Sequence, residues 1–122
     1  MSKVYEFIKD CGTFFVLTLN DDFPAGRPFG AIMEIGEDLY ISTSDSKSVY
    51  KQLKTNGNMQ LLALKPGTRD WVRVTGVAEE CDSLEIRKKM LKDCSILKKH
   101  YPSADTPHFN VFKISIISIR LY

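Results

Sequence analysis

The sequence predicts a mainly β (α+β) protein, an antiparallel barrel of about six strands with peripheral helices. Three observations carry that expectation. Short runs rich in β-branched and aromatic residues recur at close spacing. Most are joined by turns bearing Gly, Pro, Asn or Asp, too short for a crossover. Helical patterns are inserted between strands at only two places, so the βαβαβ alternation of a doubly wound sheet is missing.

Taken in order, the chain opens with a helix near residues 3–10. Val4, Phe7, Ile8 and Cys11 fall at helical spacing, and Gly12 ends it. Thr13-Phe14-Phe15-Val16-Leu17-Thr18-Leu19 reads as the first strand. Residues 20–26 carry turn chemistry, and a second strand follows over 27–35. Gly36-Glu37-Asp38 turns the chain into a third, 39–43. Ser44, Asp45 and Ser46 offer N-caps for a helix near 47–56, with Val49, Tyr50 and Leu53 as its apolar stripe and Gly57 as its stop. Residues 59–64 form a nearly continuous apolar strand, broken by Pro66-Gly67. Residues 71–79 alternate, with Trp71, Val72, Val74 and Val77 among Arg73, Thr75 and Glu79. Asp82 and Glu85 make a capping box for a helix near 83–99, lined on one face by Ile86, Met90, Cys94 and Leu97. Pro102 and Pro107 bracket a loop, and residues 109–121 supply the last strand.

Composition removes several classes of function. A chain of 122 residues fits one domain, 1–122, and can bury a core without staples. A formal net charge of +2 and the absence of a long basic run give no electrostatic footprint for nucleic acid. The lysines and arginine of residues 86–100 alternate with apolar residues, as on a solvated helix face. Three cysteines, Cys11, Cys81 and Cys94, are an odd number without short spacing, which fits neither a disulfide framework nor a zinc ribbon. His100 and His108 are too few for a metal site. No segment resembles a signal peptide, and none approaches the ~20 apolar residues of a membrane span. The expected location is the cytoplasm, with no membrane partner.

Chemistry is concentrated at a few positions. Lys47 follows Ser42, Thr43, Ser44, Asp45 and Ser46 at an expected helix start. Free N–H groups, hydroxyls and an ammonium converge there, which is the donor set of a phosphate site. The alternative is that the serines cap the helix and Lys47 faces water; Asp45 would repel an anion unless it turns away. In Arg27-Pro28-Phe29-Gly30, Pro28 marks an edge or bulge, and Gly30 admits a backbone or a flat ligand. The alternative there is an edge device against aggregation. Trp71 and Arg73 share one face of a strand, where stacking beside a core tryptophan is the alternative. No nucleophile elbow, Cys–His pair, Walker loop or GxGxxG is present, so no catalytic side chain is assigned.

The ordered series of these pieces resembles the pyridoxamine 5′-phosphate oxidase-like superfamily, whose fold is the FMN-binding split barrel. The matching pieces are Gly26-Arg27-Pro28-Phe29-Gly30, Leu39-Tyr40-Ile41-Ser42-Thr43, Ser46-Lys47-Ser48-Val49, Leu53, Gly57-Asn58-Met59 and the run 71–79. The resemblance implies a six-stranded split β-barrel that binds FMN. It implies that Arg27 reaches the phosphate or ribityl chain, and that Pro28, Phe29 and Gly30 lie beside the ring. Ser42, Thr43 and Lys47 match the phosphate-binding positions. Trp71 and Arg73 match a strand near the cofactor, across a dimer interface. The family's vitamin-processing oxidases have a longer C-terminal region with basic substrate ligands; here the sequence ends at Ile119-Arg120-Leu121-Tyr122, so oxidation of pyridoxamine phosphate itself is not expected.

Two functions follow from that resemblance. One is an FMN-dependent oxidoreductase passing electrons from a reduced nicotinamide or similar donor to a small acceptor. The other is a flavin-binding electron-transfer or stress-related module without substrate chemistry of its own. A site preferring deazaflavin or haem, with His100 or His108 as haem ligand, is a third alternative. A barrel this small is filled by its own side chains, so the ring must lie outside on a strand wall. A second copy then covers its open face, and a homodimer with two equivalent sites is expected. Phe14, Phe15, Phe29, Met59, Trp71, Phe109 and Phe112 are the apolar residues in excess of one small core.

Overall fold

The computed structural model describes residues 2–122. Ser2 caps the first helix, α1 (Lys3–Cys11), its Oγ accepting from the Tyr5 N–H at 3.2 Å. Val4, Tyr5, Ile8 and Cys11 form the buried face, and Gly12 ends the helix at φ 77°. β1 (Phe14–Asn20) and β2 (Phe23–Phe29) then make a hairpin with Asn20 opposite Phe23. Only Asp21 and Asp22 form its turn. Asp21 takes a φ of 54°, which a short polar side chain tolerates.

The second expected strand is therefore two strands, and the sheet has seven rather than six. β2 starts at Phe23, four residues before the expected point, and pairing stops after Phe29. It resumes as β3 (Met33–Ile35) beside β4 (Asp38–Ser44). The reason is topological. The sheet order is β2-β1-β5-β6-β7-β4-β3, so β2 and β3 hold opposite edges and residues 30–32 cross between them. Pro24 and Pro28 both lie on the β2 edge, where a missing ladder donor is tolerated.

α2 (Ser48–Thr55), β5 (Asn58–Leu64), β6 (Trp71–Glu80) and α3 (Leu84–Asp93) follow, and β7 (Phe109–Leu121) closes the sheet between β6 and β4. The third helix stops short of the expected Lys99. It ends at Asp93, and a 3-10 turn, Ser95–Lys99, continues the chain. Its cap also differs: the Ser83 Oγ accepts from Ile86 N–H, while Asp82 pairs with Arg87 at 2.8 Å.

Two cores flank the shared strands. Ile8, Phe14, Val16, Ile41, Leu61, Val74 and Phe112 belong to the first, under α1 and α2. Met33, Tyr40, Met90, Leu91, Phe109 and Val111 belong to the second, under α3. β4 serves both, with Leu39 and Ile41 in one and Tyr40 in the other, which is why its sequence is apolar without alternation. Phe14, Met59, Phe109 and Phe112 are thus core residues, not spare surface.

β6 and β7 change register between Thr75 and Gly76. A Cβ at Gly76 would lie 2.7 Å from the Ser115 carbonyl oxygen and 2.8 Å from a methyl of Ile114. Gly76→Ala should therefore destabilise the protein by roughly 1–3 kcal/mol, as overpacking against backbone does. A urea-unfolding midpoint equal to that of the native sequence would contradict this placement of the bulge.

Candidate functional site

A cleft of about 440 Å³ opens where the end of β2, the end of β4, the start of α2 and the 3-10 turn meet. Pro28, Phe29, Gly30 and Ala31 form one wall; Ser42, Thr43 and Ser44 form the floor; Ser46 and Lys47 stand at the helix start. Leu97, His100 and Tyr101 form the remaining wall. Both faces of β4 are covered, so Thr43, on the face of Leu39 and Ile41, and Ser42, on the face of Tyr40, are buried at 6% and 9% exposure. Among the described residues neither hydroxyl has a side-chain hydrogen-bond partner; the buried side-chain oxygen left unpaired is Asn110 Oδ1, next to Thr43 in the ladder.

The start of α2 is also uncapped. Lys47 occupies the N-cap position with extended backbone and no side-chain hydrogen bond. The expected caps are engaged elsewhere. Ser44 and Ser46 bond each other at 2.8 Å, and Asp45 turns away to His108, 2.7 Å from its Nδ1. No acidic residue lies in the first turn, and none lines the cleft. Free helix N–H groups, the Ser42 and Thr43 hydroxyls and an ammonium without a competing carboxylate fit an anion of the phosphate type.

A polar clamp fixes α2. Glu80 of β6 accepts from Tyr50 Oη at 2.8 Å, Lys54 Nζ at 3.1 Å and Asn110 Nδ2 at 2.9 Å. Asn110 stands opposite Thr43 in the β4–β7 ladder, so the clamp adjoins the floor of the cleft. Burial raises the Glu80 carboxyl, but the three donors together outweigh it and hold the group below the ordinary carboxylate value. The same bond to Glu80, with burial second, raises the Tyr50 phenol.

Six of the nine expected residues thus line one cleft: Pro28, Phe29, Gly30, Ser42, Thr43 and Lys47. Arg27 lies outside its lining. Arg27 pairs with Val16 in the hairpin and shares its inward face, and its guanidinium donates to Val16 O, Thr18 Oγ1 and Gln52 Oε1 at 2.8–3.2 Å. Burial lowers it from the usual arginine value. Trp71 and Arg73 also lie elsewhere, on the outer sheet face. The Trp71 ring stacks on Tyr122 at 4.1 Å, with the Arg73 guanidinium over it at 5.0 Å. Sequence reasoning missed Leu97, His100 and Tyr101. Leu97 had been absorbed into a helical stripe, and Tyr101 is placed by stacking on Phe109 at 4.6 Å, a contact without a local signature.

The fold and this cleft define an antiparallel split-barrel protein with a phosphate-type donor set. The chain belongs to the pyridoxamine 5′-phosphate oxidase family, whose model matches residues 1–122. Among solved structures it is similar to a NimC/NimA family protein from Clostridium acetobutylicum, with 30% identity over 98% of this chain and 90% of that one, at a TM-score of 0.87. The general stress protein 26 of Bacillus anthracis superposes at 0.83 with 19% identity, covering 98% and 90% of the two chains. A FAD-binding protein from Mesorhizobium loti does so at 0.68 with 20% identity, covering 98% and 92%. No curated protein matches the sequence significantly. Among the described residues no helix is long and apolar enough to cross a membrane.

The Glu80 clamp gives a pH dependence with a definite sign. Its folded-state value lies below the unfolded one, about 4.3 for a free glutamate. Its contribution is therefore complete above that value and is lost as pH falls through the folded one. Glu80→Gln should cost about 1–2 kcal/mol near neutral pH and progressively less in acid. Urea unfolding of both proteins at several pH values checks this; a gap that stays constant into acid would contradict it.

Proposed function

We propose that the protein is an FMN-binding oxidoreductase acting as a homodimer, with one flavin held by each cleft. The observation that carries this is the donor set lining one cleft: Ser42 and Thr43, an uncapped helix start and Lys47, with no carboxylate in the lining. Lys47 and the first N–H groups of α2 hold the phosphate, with Ser42 and Thr43 at the adjoining strand end. Pro28, Phe29 and Gly30 give the ring a flat wall on an edge strand. The bound flavin supplies two-electron transfer between a reduced nicotinamide or similar donor and a small acceptor; the chain supplies position and electrostatics. Membership of the pyridoxamine 5′-phosphate oxidase family and similarity to a FAD-binding protein support a flavin as the occupant.

The outer sheet face supports the dimer. β1, β5 and β6 alternate buried and less buried positions, and the outward set mixes Gln60, Arg73 and Thr75 with an apolar group: Phe15, Leu17, Leu62, Leu64, Trp71 and Val77. Phe15 and Leu64 remain 50% and 58% exposed. β7 adds Ile117 at 68%, on a stretch that pairs with β6 alone. A second copy seated here would bury on the order of 2,000 Å² in total and bring Trp71 and Arg73 toward the partner's cofactor.

Lys47→Ala should weaken FMN by ~1.5–3 kcal/mol, the scale of a hydrogen bond to a charged group, in a fluorescence titration. Unchanged affinity would place the phosphate elsewhere. Sedimentation at micromolar concentration should show a dimer, and Phe15→Asp should shift it to monomer, because that side chain packs little within its own chain. A native protein that sediments as a monomer while binding FMN tightly would remove Trp71 and Arg73 from the site.

A further inference from the structure

One consequence of the cleft concerns its second donor. A terminal phosphate carries close to two charges, and Lys47 is the one lysine or arginine in the lining. Arg27 is committed to Val16, Thr18 and Gln52 on the inward face of β2. His100 lines the same cleft from a different wall. The turn that presents it is fixed: the His100 and Tyr101 N–H groups both donate to Leu97 O, at 3.0 and 2.9 Å, and Tyr101 is stacked on Phe109. His100 has no side-chain hydrogen-bond partner among the described residues, whereas His108 is taken by Asp45. An imidazole offers an N–H donor in either protonation state.

We propose that His100 is a second donor to the terminal phosphate, acting with Lys47 in the role that the family resemblance implied for Arg27. The proposal rests on the reading of the cleft as a flavin phosphate site. Its distinguishing consequence is selectivity for the phosphorylated ligand, because riboflavin has the same ring and ribityl chain without the phosphate.

Fluorescence titrations with FMN and with riboflavin, on the full chain and its variants, test this. His100→Gln should weaken FMN about tenfold, as the loss of one charge-assisted hydrogen bond does, and leave riboflavin unchanged. His100→Lys should restore FMN. Arg27→Gln should leave the ratio of the two affinities as in the native protein, whatever it does to stability. The proposal is overturned if His100→Gln binds FMN like the native protein, if it loses both ligands equally, or if Arg27→Gln loses FMN selectively. Lys47→Ala separates the two levels. If it weakens FMN selectively while His100→Gln does not, the proposal alone fails. If neither variant affects FMN, the phosphate lies outside this cleft and the underlying reading fails with it.

Discussion

The last strand has to be hydrogen-bonded on both sides at once, and the rest of the structure follows from how it manages this. β7 pairs with β4 through residues 109–114 and with β6 through residues 112–121. A flat strand could not serve both neighbours while two separate cores form against them. The register shift at Thr75 and Gly76 releases that conflict, because an extra residue on one strand bends the pair and increases its twist. The approach of Gly76 to the Ser115 carbonyl leaves no space for any side chain. On one side of the bend the strands wrap the core beneath α1 and α2. On the other, β4 and the start of β7 turn their second face to α3.

That arrangement sets the cleft. β4 is buried on both faces, so the residues completing it, Ser42 and Thr43, are carried inward although they are polar. The uncapped start of α2 forgoes about 1 kcal/mol that a side-chain cap would contribute. The helix start is left open while nearby carboxylates are engaged elsewhere: Glu80 accepts from three donors, and Asp45 is removed to His108, although Asn110 Oδ1 beside the clamp is buried without a partner. A chain that holds donors apart from the acceptors within its reach is organised to receive an acceptor from outside.

The elements that were legible in the sequence are those whose signals are local. The alternation of residues 71–79, the apolar run of 59–64 and the two short helices occupy the places that periodicity assigns them. The phosphate-type cluster from Ser42 to Lys47 was equally legible, being contiguous in the chain. What escaped depends on distant partners. Nothing within residues 27–35 shows that its two halves pair at opposite edges of a sheet. The side on which Arg27 points is fixed by a two-residue turn at Asp21 and Asp22, which brings it opposite Val16; a turn one residue longer would have reversed it. His100 and Tyr101 reach the cleft only because α3 gives way to a 3-10 turn, and a helix continued to Lys99 would have aimed them elsewhere.

The outer face and the cleft can be understood as one design under the proposed function. The barrel interior is filled by Leu61, Val72, Val74 and Ile114, all fully buried, and leaves no space for a flat ring. The ring must lie on the outside, beside the edge strand, where water reaches its free face. The strands behind that edge carry Phe15, Leu62, Leu64 and Trp71 outward, an apolar surface that gains nothing from exposure. Covering this surface and covering the ring call for the same object, a second chain in two-fold relation. Under that proposal an isologous contact would also bring the Trp71–Arg73–Tyr122 stack of each chain to the interface, where its aromatic faces and guanidinium could meet a planar ligand. In the proposed dimer the cost of an apolar outer face would be offset, and cofactor binding and association would be linked equilibria: whatever strengthens one would strengthen the other.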